Sequence, residues 1–300
     1  MPQKFKGTGV AIVTPFHREG NIDFKSFERM IEYQITSGID YIVFLGTTGE
    51  AVTLNYDEKH ALVNYAIETV AGRVPVVVGI GGNNTQEIIS IIKKTSFEGI
   101  DAILSVSPYY NKPQQKGIYY HYKNIAAASP VPVIIYNVPS RTASNISAET
   151  TLRIAHDFPN VIGIKEASKD LSQCALILRD RHKDFLVISG DDSTTIPLIA
   201  MGGNGVISVI ANAYPAEFSK MVKHCLQNDF VKARTIYFSL IDLIDAIFAD
   251  GSPSGIKALL DIKGMVKNNL RLPLVKVNKG LYKHLSTLVE QYEGSEVAVK

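Results

Sequence analysis

One pattern constrains this chain more than any other: a short apolar run followed by a helical-period segment, repeated eight times. The runs lie at 9–13, 41–45, 76–80, 102–106, 131–136, 161–165, 186–189 and 205–209, and β-branched residues dominate them. A strand with one wet face alternates apolar and polar residues. These runs do not alternate, so they read as strands buried on both faces, as in a parallel sheet covered by helices. Helical segments fall at 24–37, 57–71, 85–97, 115–128, 147–156, 170–181, 194–201 and 215–226. The first carries apolar residues at 24, 27, 30, 31 and 35, one stripe of a helix, and the third repeats Ile at 88, 89, 91 and 92. Run starts recur every 19 to 35 residues, the length of one βα unit.

Eight parallel βα units have a favoured closed arrangement, so the predicted fold is α/β, a (β/α)8 TIM barrel. An open doubly wound sheet is the alternative. After residue 226 the strand signal ends and segments 229–248, 256–265 and 279–292 read as helices. The expected organisation is a barrel over 1–226 and a small C-terminal helical domain over 227–300.

Composition excludes several function classes. Lys and Arg number 31 against 29 Asp and Glu, a net charge of +2 with no basic block, so nucleic acid is not an expected partner. No apolar run reaches the roughly 18 residues of a membrane helix, and the N-terminus lacks the apolar core of a signal peptide. Two cysteines make no disulfide framework. The expected location is the cytoplasm, without membrane partners.

In a barrel the chemistry sits where strands end. After the second run comes Gly46-Thr47-Thr48-Gly49-Glu50, whose glycines and hydroxyls suit a carboxylate or phosphate, or a tight turn bonded to itself. The fourth is followed by Ser107-Pro108-Tyr109-Tyr110-Asn111. There a phenol can relay protons or pack as a cap. The fifth ends in Tyr136-Asn137-Val138-Pro139-Ser140-Arg141-Thr142, where Arg141 suits bidentate carboxylate binding, or a surface ion pair. The sixth ends in Gly163-Ile164-Lys165-Glu166-Ala167-Ser168, the sharpest signal. An ammonium closing an apolar strand loses hydration, which lowers its pKa, and a neutral amine can form a Schiff base with a carbonyl. A snorkelling lysine is the plainer reading. Gly190-Asp191-Asp192-Ser193 and Gly202-Gly203-Asn204-Gly205 flank the seventh and eighth strands, a quadrant that often binds phosphate in barrels. Asp191-Asp192 reads as a cap for the following helix rather than a cation site. No metal is expected: the seven histidines show no i,i+4 pair and the cysteines no Cys-x-x-Cys spacing.

Taken together the four motifs after the second, fourth, fifth and sixth runs resemble the pyruvate-dependent class I aldolase superfamily, and within it the dihydrodipicolinate synthase family, in order and spacing from Gly7 to about Leu226. The resemblance implies a lyase of lysine and diaminopimelate biosynthesis that condenses pyruvate with L-aspartate 4-semialdehyde. It implies that Lys165 forms the Schiff base, that Tyr136, Thr47 and Tyr110 relay protons, and that Tyr110 reaches in from a neighbouring subunit. Thr48 would bind the pyruvate carboxylate, Arg141 the semialdehyde carboxylate, and Gly190 and Ile207 would line the pyruvate site. No cofactor is implied beyond the covalent pyruvate, and the assembly would be a homotetramer, a dimer of dimers. An N-acetylneuraminate or keto-deoxy sugar acid lyase would keep Lys165 and Tyr136 but differ around Arg141. A non-catalytic phosphate-binding barrel would need Lys165 to be structural. The resemblance also points to an allosteric lysine site at Tyr56, Lys59, Asn83, Glu87 and Tyr109. Lysine-sensitive members often carry histidines where Tyr56 and Lys59 stand. Lys59 brings a cation towards the effector's ammonium, so lysine inhibition is expected to be weak or absent. Segment 250–254, Asp-Gly-Ser-Pro-Ser, departs from the family's usual Asn-Pro start.

Overall fold

The structure, a computed structural model, describes residues 2–298. Eight parallel strands close in chain order into a barrel: β1 (Gly7–Ala11), β2 (Tyr41–Phe44), β3 (Val76–Gly79), β4 (Ala102–Val106), β5 (Val133–Asn137), β6 (Val161–Glu166), β7 (Leu186–Ser189) and β8 (Gly205–Ser208). The predicted (β/α)8 barrel is therefore what forms, and the open sheet is not. Helices α1 (Phe24–Thr36), α2 (Tyr56–Val70), α3 (Thr85–Lys94) and α4 (Gln115–Ala128) follow the first four strands. After β5 come a short helix α5 (Pro139–Thr142) and α6 (Ala148–Asp157), then α7 (Leu171–Asp180), α8 (Thr195–Ala200) and α9 (Pro215–Leu226). Three more helices complete the chain: α10 (Phe230–Ala249), α11 (Ser254–Ile262) and α12 (Lys279–Ala298). Residues 299–300 of the expected tail lie outside the described residues.

The helices start where their sequences say they should. Asn55 and Glu58 form a reciprocal capping box at α2, and Asp23, Asn84, Ser147 and Asp170 accept backbone N–H groups at α1, α3, α6 and α7. These side chains satisfy donors that the first turn of a helix leaves free.

The chain divides into two compact units. One gathers the segment ending at Gly9 with Asp40–Val43 and Val74–Ile207. Its core is made by Val77, Ile103, Ile134, Ile135, Ile164, Val187 and Ile188 from the strands and Ile92, Ile118, Ile125, Ile154 and Ile177 from the helices, all buried. Each such side chain contributes roughly 1.5–3 kcal/mol. The other unit gathers Val10–Ile39, Phe44–Arg73 and the segment beginning at Ser208. There α10 packs Leu240, Leu243, Ile244 and Ile247 inward, α11 packs Ile256, Leu259 and Leu260, and Phe27 meets Phe44 edge-on at 5.8 Å.

Register decides what the barrel can do. Val106 of β4 pairs with Tyr136 of β5, Tyr136 with Lys165 of β6, and Lys165 with Ile188 of β7. The β5–β6 pairing slips by one residue, from Val133↔Val161 to Ile134↔Gly163. Side chains alternate faces along a strand, so this single slip moves Lys165 onto the face that Tyr136 occupies. Gly163 stands where the slip occurs, and a β-carbon there would lie 2.7 Å from Leu186 Cβ and 2.8 Å from its carbonyl oxygen. Only a residue without a side chain lets β7 close on β6 at this point.

Candidate active site

Lys165 ends the apolar part of β6 and is 5% exposed. Its Nζ lies 4.3 Å from the centroid of the buried Tyr136 ring. Burial pushes its pKa from 10.5 down to about 8. The Asp192 carboxylate opposes that shift, the Arg141 guanidinium adds to it, and Asp191 opposes it more weakly. An ordinary lysine at pH 7 is neutral in about one molecule in 3000, whereas an amine titrating near 8 is neutral in about one in ten. The residue is thus a competent amine nucleophile near neutral pH.

Gly190 makes the space this amine needs. A methyl group on it would sit 2.7 Å from Ala167 Cβ and 3.0 Å from Lys165 Cε. Its N–H donates to the Glu166 carbonyl at 2.7 Å, which ties the end of β7 to the end of β6. Ile207 is buried in β8.

Behind the lysine, Glu166 turns to the opposite face. Asn137 Nδ2 donates to both its carboxylate oxygens at 3.1 and 3.0 Å, Gln173 Nε2 at 3.0 Å and the Ser168 N–H at 2.8 Å. Asn145 is bonded in turn to Asn137 and Gln173. Burial raises the Glu166 pKa despite these donors. The sequence reading gave Glu166 no part. A carboxylate directly after the key lysine, with amides at 137, 145 and 173, was the available signal.

The loop after β7 is built on Asp191. Its carboxylate accepts the N–H groups of Ser193 and Thr194 at 3.0 and 3.2 Å and pairs with Lys169 at 3.1 Å. Asp191 therefore caps a turn, while Asp192 is buried near Lys165. Among the described residues no group of three or more His, Cys, Asp or Glu side chains could hold a metal ion.

Arg141 is exposed in α5, whose first residue is Pro139, and its charge is felt at Lys165. Tyr110 is 88% exposed and sits in the left-handed region at φ 73°. Asn83 Nδ2 donates to the Tyr109 carbonyl at 3.2 Å, bringing together two members of the expected lysine site, and Glu87 is exposed in the first turn of α3.

In the other unit Thr47 is exposed and Thr48 buried. Their loop is a chain of turns, with Gly49 N–H on the Gly46 carbonyl and Glu50 N–H on that of Thr47, both at 3.1 Å. Tyr56 is exposed and stacks on His60, and Lys59 is half-buried one turn into α2. Glu50, the last residue of the Gly46–Glu50 motif and one that sequence patterning leaves without a role, is fully buried against Lys257 of α11. Burial pushes Lys257 down to about 8 although Glu50 acts against it. A lysine inside the apolar run of α11 was the sequence signal for that pair.

A (β/α)8 barrel with a buried, weakly basic amine at the end of its sixth strand has the chemistry of an aldolase-type lyase. The chain belongs to the dihydrodipicolinate synthetase family, whose model matches residues 4–292. It is 50% identical over 289 residues to a 4-hydroxy-tetrahydrodipicolinate synthase of Flavobacterium psychrophilum, covering 96% of this chain and 99% of that one. It is 48% identical over 286 residues to one of Parabacteroides distasonis, covering 95% and 96%. The solved 4-hydroxy-tetrahydrodipicolinate synthase of Methylacidiphilum fumariolicum superposes with a TM-score of 0.95 at 36% identity, covering 98% of each chain. The chain is accordingly an enzyme of the aldolase-type lyase class. No helix among the described residues is long and apolar enough to cross a membrane.

Proposed function

We propose that the enzyme condenses pyruvate with L-aspartate 4-semialdehyde to the 4-hydroxy-tetrahydrodipicolinate named in its relatives. The Lys165 amine adds to the pyruvate ketone, and loss of water leaves an imine. Removal of a methyl proton gives an enamine, whose carbon attacks the aldehyde. Attack of the semialdehyde's own amine on the imine then closes the ring and frees Lys165.

In this scheme Tyr136, Thr47 and Tyr110 carry protons. A free phenol, with a pKa near 10, is a poor base alone, so a hydrogen-bonded chain is needed. Thr48 receives the pyruvate carboxylate and Arg141 the semialdehyde carboxylate. Gly190 and Ile207 line the pyruvate pocket. No metal or organic cofactor enters the scheme. Tyr110, exposed on a strained turn, is assigned to a neighbouring subunit of a homotetramer built as a dimer of dimers, acting in the cytoplasm.

The observation that carries this reading is the buried Lys165 amine, titrating near 8 and held over the Tyr136 ring. Borohydride reduction with pyruvate, followed by intact-mass spectrometry, tests it. A pyruvate-sized adduct that disappears in Lys165→Ala is the expected result. Well-folded protein without an adduct would overturn the reading.

A further inference from the structure

The Thr47-Thr48 loop ends on a residue whose backbone is left-handed. Glu50 has φ 53° and ψ 34°, and Leu45 at the other end of the loop has φ 54°. For residues other than glycine this costs on the order of 1–2 kcal/mol each, so the surroundings must impose it. At Glu50 they do so through the side chain. Its carboxylate and the Lys257 ammonium form an ion pair with neither partner exposed. The second carboxylate oxygen accepts the Arg271 backbone N–H at 3.1 Å. Lys257 also donates to the Asn269 carbonyl at 2.9 Å and lies 4.2 Å above the Phe16 ring. Arg271 reaches on to the carbonyls of Gly20 and Thr53, at 2.9 and 2.8 Å, and to the Glu58 carboxylate at 2.8 Å. From the inner side, Thr14 Oγ1 donates to the Gly49 carbonyl at 2.7 Å.

A buried ion pair is poorly explained as a source of stability. The desolvation of its two charges offsets most of their attraction, and apolar replacements of similar volume are often no worse. What such a pair does supply is one geometry. Here that geometry fixes the residue two positions after Thr48.

We propose that Lys257, through its buried pair with Glu50, is a positioning residue for the Thr47-Thr48 loop and so for capture of the substrate carboxylate. The inference rests on the reading that Thr48 receives the pyruvate carboxylate. Lys257 contacts no substrate; it sets the loop from α11, more than two hundred residues away in sequence.

The test compares Lys257→Met, Glu50→Gln/Lys257→Met and Thr48→Val with the parent enzyme. The readout is the pyruvate concentration that gives half-maximal borohydride-trapped adduct, alongside KM for the semialdehyde and a thermal melt. Lys257→Met is expected to raise the half-saturating pyruvate tenfold or more and leave the semialdehyde KM within twofold. If the unpaired carboxylate prevents folding, the double variant removes that charge and carries the test, with an expected rise of at least threefold. A folded variant within twofold of the parent, while Thr48→Val is shifted, would overturn the positioning role. A Thr48→Val enzyme with unchanged pyruvate saturation would instead overturn the assignment of Thr48, on which the proposal depends.

Discussion

Replacing Asp192 by Asn should make the enzyme better at low pH at forming the proposed pyruvate adduct, because that carboxylate favours the protonated form of Lys165. The Lys165 pKa is lowered from 10.5 to about 8, a net destabilisation of the ammonium by about 3 kcal/mol. Burial is the largest contribution, and Asp192 is the strongest influence in the opposite direction. An opposite charge close to a buried group is typically worth about 1–3 pKa units. Taking the low end, Asp192→Asn moves the midpoint down by about one unit, and the neutral amine at pH 6 becomes about tenfold more abundant. The assay is the initial rate of cyanoborohydride trapping at fixed pyruvate between pH 5.5 and 9.5. The parent rate should climb nearly tenfold per unit and level off above pH 8, and the variant should level off earlier. A parent profile still rising at pH 9.5, or a variant midpoint unchanged or higher, would refute the electrostatic account of Lys165.

Three further outcomes are expected. In the folded enzyme Lys165 gives up its proton near pH 8, while the unfolded chain holds it to about 10.5. Stability should therefore rise with pH across that window, and denaturant titrations should show Lys165→Met losing that rise and gaining stability, by up to about 3 kcal/mol, below pH 8. Gly190→Ala puts a methyl 3.0 Å from Lys165 Cε, so trapping should slow at least tenfold with a Tm shift of only a few degrees; equal activity would mean that β7 yields freely. L-Lysine added at millimolar concentration should leave the initial rate nearly unchanged, since at the effector site that the resemblance implies Lys59 would bring a cation towards the effector's ammonium, and strong inhibition would remove that argument.

The barrel was legible because its strands are buried on both faces and say so in composition. Where boundaries moved, hydrogen bonding rather than hydropathy was responsible. The first strand was expected at 9–13 but runs Gly7–Ala11. Thr8 donates its N–H to the Asp40 carboxylate, whereas the N–H of Val13 leaves the sheet for the Asn212 side chain. The fifth was expected from 131 but starts at Val133, after a proline with no N–H to give. It then continues to Asn137, and the sixth to Glu166, because those polar residues pair with each other. Lys165 and Tyr136 could be picked out individually, but nothing in the spacing announces the one-residue slip that puts them on one face. The Glu50–Lys257 pair was legible only by half: a lysine in an apolar helical run signals a buried charge, but nothing in the sequence names a partner 207 residues away.

That pair also sets an order of events during synthesis. Glu50 leaves the ribosome 207 residues before Lys257. At typical elongation rates of about 5–20 residues per second, the nascent chain spends roughly 10–40 s with the Glu50 carboxylate lacking the counter-ion that lets it be buried. The loop carrying Thr47 and Thr48 is among the earliest parts of the chain to be made, yet it takes its final shape only after α11 has emerged. A ribosome stalled after β8 would display the strand with Lys165 while the Thr47-Thr48 loop was still unset.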